Sequence, residues 1–137
     1  MRRVKTRVFV AVIAMLLLLP LFAAQAQDGM KVEIKRGVIC RDVIEREPVG
    51  VEDSFPKTVK SLYCFTEVYA SELPTEITHA WFFKEIERAR VTLPVRGTRW
   101  RTKSSKRILT HEIGPWRVDI IDATGEKILS VPFSIVD

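Results

Sequence analysis

The sequence predicts an all-β domain, an antiparallel immunoglobulin-like β-sandwich of about seven strands that follows an N-terminal signal peptide. Three observations predict it. Apolar and polar residues alternate with a period of two in several stretches, turn-forming sequences separate those stretches, and the exported part carries no amphipathic helical pattern.

The clearest strand runs from Glu87 to Val95, where Ala89, Val91, Leu93 and Val95 alternate with Arg88, Arg90, Thr92 and Pro94. One face of such a segment is buried and the other stays wet. Lys127 to Val136 repeats the pattern through Leu129, Val131, Phe133 and Ile135, and Pro132 marks it as an edge or irregular strand because proline donates nothing to a ladder. Trp116 to Ile121 reads as a third strand. Asp122-Ala123-Thr124-Gly125 joins it to the last one, which predicts a C-terminal hairpin. Further strands are expected at Gly37 to Val43, Ser61 to Val68 and Ile77 to Phe83, with a short one near Ser105 to Thr110 and a loop from Pro48 to Lys57. Trp81 fits a core position in a middle strand.

Residues 1–26 have the order of a secretory signal: Arg2, Arg3, Lys5 and Arg7, an apolar run from Val8 to Leu19, then Pro20 and Ala24-Gln25-Ala26. A run of about a dozen residues is short of the roughly 20 that span a bilayer, so cleavage after Ala26 is expected rather than an uncleaved anchor. The mature chain then has no transmembrane segment and is periplasmic or secreted from a bacterium. The expected organisation is a signal peptide over 1–26, a lead-in over 27–37 and a sandwich domain over 38–137.

Removing the signal changes the charge argument. The chain has 22 basic and 17 acidic residues, but four of the basic ones precede residue 27, which leaves the exported part at +1. Bulk charge then gives no support for a nucleic acid partner. The remaining charge is uneven: Lys84 to Arg107 holds nine basic residues against Glu85 and Glu87. In an extended segment Arg99, Arg101 and Lys103 point one way, and Arg88 and Arg90 form the wet row of the preceding strand, so together they are the candidate anion-binding residues. A solvated strand surface paired with nearby acids is the competing reading.

Cys40 and Cys64 both remain after signal removal, and an even count in an oxidising compartment predicts one disulfide, with two separate buried thiols as the alternative. Catalytic patterns are weak. Ser54-Phe55-Pro56-Lys57 has a Ser-x-x-Lys spacing, but Pro56 denies it the helix that aligns the two side chains. A Cys64–His79 nucleophile–base pair loses its thiol to the expected disulfide. His79 and His111 lie far apart without a ligand set around them, so no metal and no cofactor are expected. His79 shares a strand face with Trp81 and Phe83, which favours a core-edge histidine bonded to a carbonyl over a polar group in a groove.

Four segments carry a resemblance: Leu62-Tyr63-Cys64-Phe65-Thr66-Glu67-Val68, His79-Ala80-Trp81-Phe82-Phe83, Arg99-Trp100-Arg101-Thr102-Lys103-Ser104-Ser105-Lys106 and Gly114-Pro115-Trp116-Arg117-Val118. In this order, followed by a glycine turn and an apolar strand, they resemble the bacterial family domain of unknown function 2914. The likeness covers roughly residues 38 to 136. It implies an exported or tethered bacterial module and carries over no catalytic residue. The functional expectation is therefore a non-enzymatic binding module of the cell envelope, whose partner is an envelope protein, a glycan or an anionic lipid headgroup. The alternative is an assembly subunit that pairs by its sheet edge.

Overall fold

The computed structural model describes residues 31–137, so the expected signal peptide and its cleavage after Ala26 lie outside the described residues. Ten strands follow in order: β1 (Val32–Cys40), β2 (Asp42–Ile44), β3 (Glu47–Val49), β4 (Ser54–Pro56), β5 (Ser61–Ala70), β6 (Thr75–Phe83), β7 (Ile86–Val95), β8 (Arg99–Arg107), β9 (Gly114–Asp122) and β10 (Lys127–Val136). Seven of them, β1 and β5 to β10, are nine or ten residues long. The other three are short: β2 overlaps the end of the strand expected at Gly37 to Val43, β3 enters the loop expected from Pro48 to Lys57, and β4 lies within it. β1 begins at Val32 and pairs with β5 along its whole length, so the sandwich starts inside the expected lead-in.

One sheet has the order β1-β5-β8 and the other β4-β10-β9-β6-β7, with β2 and β3 forming a small separate hairpin. β9 and β10 form the expected C-terminal hairpin, whose turn is held by Asp122 Oδ1 accepting from the Thr124 and Glu126 backbone N–H groups. One pairing departs from the antiparallel expectation: β4 runs parallel to β10 over Ser134–Val136. It covers only that end, and Pro132 sits on the stretch of β10 that β4 leaves open.

The two sheets bury their apolar rows against each other. Ile39, Leu62 and Cys64 from the three-stranded sheet meet Phe55, Trp81, Trp116, Val118, Phe133 and Ile135 from the five-stranded one. Phe133 lies at the centre of the aromatic part, edge-on to Trp81 at 6.1 Å and to Phe55 at 6.2 Å, and stacked on Trp116 at 5.8 Å. Gly37 lets the layers close. A Cβ there would stand 2.8 Å from Leu129 Cδ2 of the facing sheet, closer than real carbon atoms approach.

The register corrects the expected disulfide. Ile39 pairs with Cys64, whereas Cys40 pairs with Tyr63, so the two sulfurs leave the sheet on opposite faces. Both are free and buried. Cys64 belongs to the core, and burial pushes its thiol up to about 12. Cys40 lies on the outer face, where Arg41 N bonds Val49 O at 3.0 Å and folds the β2–β3 hairpin over it.

A polar thread crosses the core. His79 is fully buried, with Nε2 at 2.8 Å from Thr66 Oγ1 and Nδ1 at 2.6 Å from Ser104 Oγ, both on the opposite sheet. Trp81 Nε1 donates to the same Ser104 oxygen at 3.0 Å. An indole only donates, so Ser104 Oγ accepts from Trp81, while a neutral imidazole donates at one ring nitrogen and accepts at the other, and both hydroxyls can take either role. The expected histidine–carbonyl bond is thus replaced by two hydroxyls, and desolvation holds the imidazole down at about 4.

Candidate functional site

The outer face of the three-stranded sheet gathers cations over aromatic rings. In β5 Leu62, Cys64, Thr66, Val68 and Ala70 are buried inward, while Tyr63, Glu67 and Tyr69 are half-buried on the outer face and Phe65, in the same outer row, is covered and buried. β8 pairs with β5 so that Arg99 stands opposite Tyr69, Arg101 opposite Glu67 and Lys103 opposite Phe65. On the other flank β1 places Arg36 opposite Glu67.

The cations lean on the rings. Arg99 lies 5.1 Å from the Tyr69 ring centre and donates to its hydroxyl at 2.7 Å, while Lys35 approaches the same ring at 4.7 Å. Lys103 sits 5.1 Å from Tyr63, and Arg36 4.9 Å from Phe65. Two acids temper the middle: Arg101 Nη1 donates to Glu47 Oε1 at 2.6 Å and Arg36 Nη2 to Glu47 Oε2 at 3.2 Å, with Glu67 beside both guanidinium groups. Glu47 arrives from the β2–β3 hairpin, whose tip residues Glu45 and Arg46 take positive φ as a two-residue hairpin turn requires. Beside this tip, Arg46, Arg99, Trp100 and Arg101 line a hollow of about 390 Å³.

The five candidate residues named from sequence are therefore divided. Arg99, Arg101 and Lys103 share the face just described. Arg90 lies on the outer face of the opposite sheet, where its Nε donates to Glu87 at 2.7 Å. Arg88 belongs to neither outer row. Trp81 pairs with Ala89 but Phe82 pairs with Glu87, which makes Arg88 the extra residue of a β-bulge and turns it out of the alternation. Its Nη2 lies 2.9 Å from Oε2 of Glu112, which is 1% exposed. That contact is a charge pair without hydrogen-bond alignment, since Oε2 accepts no hydrogen bond. The other carboxylate oxygen is satisfied by the Leu109 N–H at 2.8 Å. Sequence reasoning missed Tyr63, Phe65, Tyr69, Lys35, Arg36 and Glu47. The outward row of β5 was readable from its alternation, but that β1 and a hairpin bring their charges to it depends on strand order.

Residues 74–135 match the family described as "Protein of unknown function (DUF2914)", the family the motifs resemble. The match runs from β6 nearly to the end of β10 and takes in Arg88, Arg90, Arg99, Arg101 and Lys103, while β1 and β5 precede it. No curated protein matches the chain. Among solved structures, the fold is similar to that of the Pseudomonas fluorescens alkylpurine DNA glycosylase AlkC, bound in that structure to DNA containing an abasic site analogue. The TM-score is 0.52 at 11% identity, and the alignment covers 78% of this chain but only 31% of that one, so the likeness is one of fold.

Proposed function

We propose that this chain is an exported, non-enzymatic binding module of the bacterial cell envelope, periplasmic or secreted, that recognises an anionic component through the outer face of its three-stranded sheet. One observation carries the reading: Arg99 and Lys103 meet no carboxylate among the described residues and rest on Tyr69 and Tyr63. A guanidinium supported by a ring keeps donors for a phosphate or carboxylate, and the rigid sheet fixes their spacing. Arg101 and Arg36, held by Glu47 and Glu67, act as the frame of the face. Arg88 and Arg90 drop out of the binding set, because each has its own carboxylate.

The alternative of assembly by a sheet edge finds less support. β7 is the terminal long strand of the larger sheet, but the bulge at Arg88 and Pro94 interrupt it as a template.

Retention of the mature domain on an immobilised phosphorylated polysaccharide and on vesicles containing phosphatidylglycerol tests the proposal. The Arg99→Ser/Lys103→Ser variant is expected to lose at least about tenfold in a salt-sensitive affinity for one of these probes, with Arg90→Ser unchanged. Equal losses in the two variants, or none in either, would overturn it.

A further inference from the structure

A second site lies at one end of the sandwich, away from Arg99. The segment leading into the first residue of β5, Lys57 to Ser61, and the segment leading out of the last residue of β8, Arg107 to His111, are clipped together by Ile108 N donating to Lys60 O at 2.8 Å. Between them is a cleft of about 830 Å³, twice the hollow beside Arg99. Among the described residues every ionisable side chain on its wall is basic: Lys57, Lys60, Arg107 and His111 line it and no carboxylate does. Lys57 reaches outward to Asp137, whereas Lys60 and Arg107 pair with no acid among the described residues. The hydroxyls of Thr58, Ser61 and Thr110 share the wall, and the side of Leu109 is 38% exposed.

The backbone adds an independent observation. Among the described residues five other than glycine have positive φ, and four of them, Glu45, Arg46, Lys84 and Glu85, sit in pairs at the tips of two-residue hairpins, where that conformation is required. Lys60, at φ 68°, is in no such turn. A lysine held in the left-handed region costs on the order of 1 kcal/mol, and such strain concentrates where a ligand is held. Here the strained residue is itself part of the cleft wall, one position before Ser61, which pairs with Arg107 in the β5–β8 ladder.

We infer that this cleft binds a phosphomonoester carrying an apolar substituent. Lys60 and Arg107 supply the charge that a dianionic phosphate needs, the hydroxyls supply neutral donors to its remaining oxygens, and Leu109 packs against the substituent. A planar carboxylate would leave most of these donors unused. The inference is independent of the sheet-face reading, since none of its residues belongs to that face's binding pair.

Titration of the domain with phenyl phosphate, inorganic phosphate and benzoate, followed calorimetrically, reads the site. Phenyl phosphate is expected to bind more tightly than either other probe, and Arg107→Ala to weaken it at least about tenfold, with Arg90→Ala, whose guanidinium is paired with Glu87, unchanged. Lys60→Gly separates binding from folding: relief of the positive φ should raise the melting temperature while affinity falls. Benzoate binding as tightly as phenyl phosphate, or affinity untouched in both Arg107→Ala and Lys60→Gly, would overturn the inference. Co-sedimentation with phosphatidic acid vesicles, lost in Arg107→Ala, would place the phosphomonoester on a lipid. Binding of phenyl phosphate without such sedimentation would place it on a soluble ester.

Discussion

The two outer faces of the sandwich treat their cations differently. On the five-stranded sheet Arg117 lies 4.1 Å from the Phe82 ring but is also bonded to Glu85 and to Asp119, and Arg90 is bonded to Glu87. On the three-stranded sheet Arg99 and Lys103 have rings and, among the described residues, no acid. A charge closed by a carboxylate contributes to the fold and has little left to offer a ligand. A charge resting on a ring keeps most of its donors. The difference teaches that a cation count along the sequence is a poor guide to a binding surface, because the acids that neutralise some cations come from other strands.

The largest expected effect concerns the thread that joins the two sheets. Burial holds the imidazole of folded His79 down at about 4, against about 6.5 in the unfolded chain. Between these values the unfolded state takes up a proton that the folded state refuses, so stability is complete above about pH 6.5 and declines as pH falls towards 4, by about 3 kcal/mol in all. Urea unfolding at pH 7.5, 5.5 and 4 should show this decline, and His79→Gln should remove it. An identical pH profile in the variant would mean that other groups control acid stability.

Arg88→Ala comes next. It leaves the Glu112 carboxylate, 1% exposed, without its cation, and a stability loss of about 2 kcal/mol is expected from the urea midpoint. A loss in Arg88→Ala no larger than that in Arg90→Ala would put the two arginines back in one class.

The smallest effect is on the face assigned to binding. Arg99→Ala with Lys103→Ala should change stability by no more than about 0.5 kcal/mol, whereas Arg117→Ala should cost about 1 kcal/mol. Thermal melts of the two variants side by side would break the comparison if the order reversed.

Several features were legible without a structure. The alternation in Glu87 to Val95 and Lys127 to Val136 names the inward residues of β7 and β10, because burial on one side of a pleated strand imposes a period of two. The hairpin at Asp122 to Gly125 is written in its turn chemistry, and Trp81 is where a core tryptophan was expected. Strand ends were less legible: β8 runs from Arg99 to Arg107, and the strand expected near Ser105 to Thr110 meets it only over Ser105 to Arg107.

What the sequence by itself determined was the set of local choices: strands, turns, which side of a strand is apolar, and where cations concentrate. Tertiary structure decided the rest. A single residue of register sends Cys40 and Cys64 to opposite faces, and a single bulged residue turns Arg88 from the surface row to buried Glu112. Strand order sets Arg90 and Arg99, nine positions apart, on opposite sides of the molecule, while it brings Arg101 within reach of Glu47 from a distant hairpin. The physical reason is that a strand's pattern fixes only its two faces; which strand lies beside it, and in what register, is settled by the packing of the whole core.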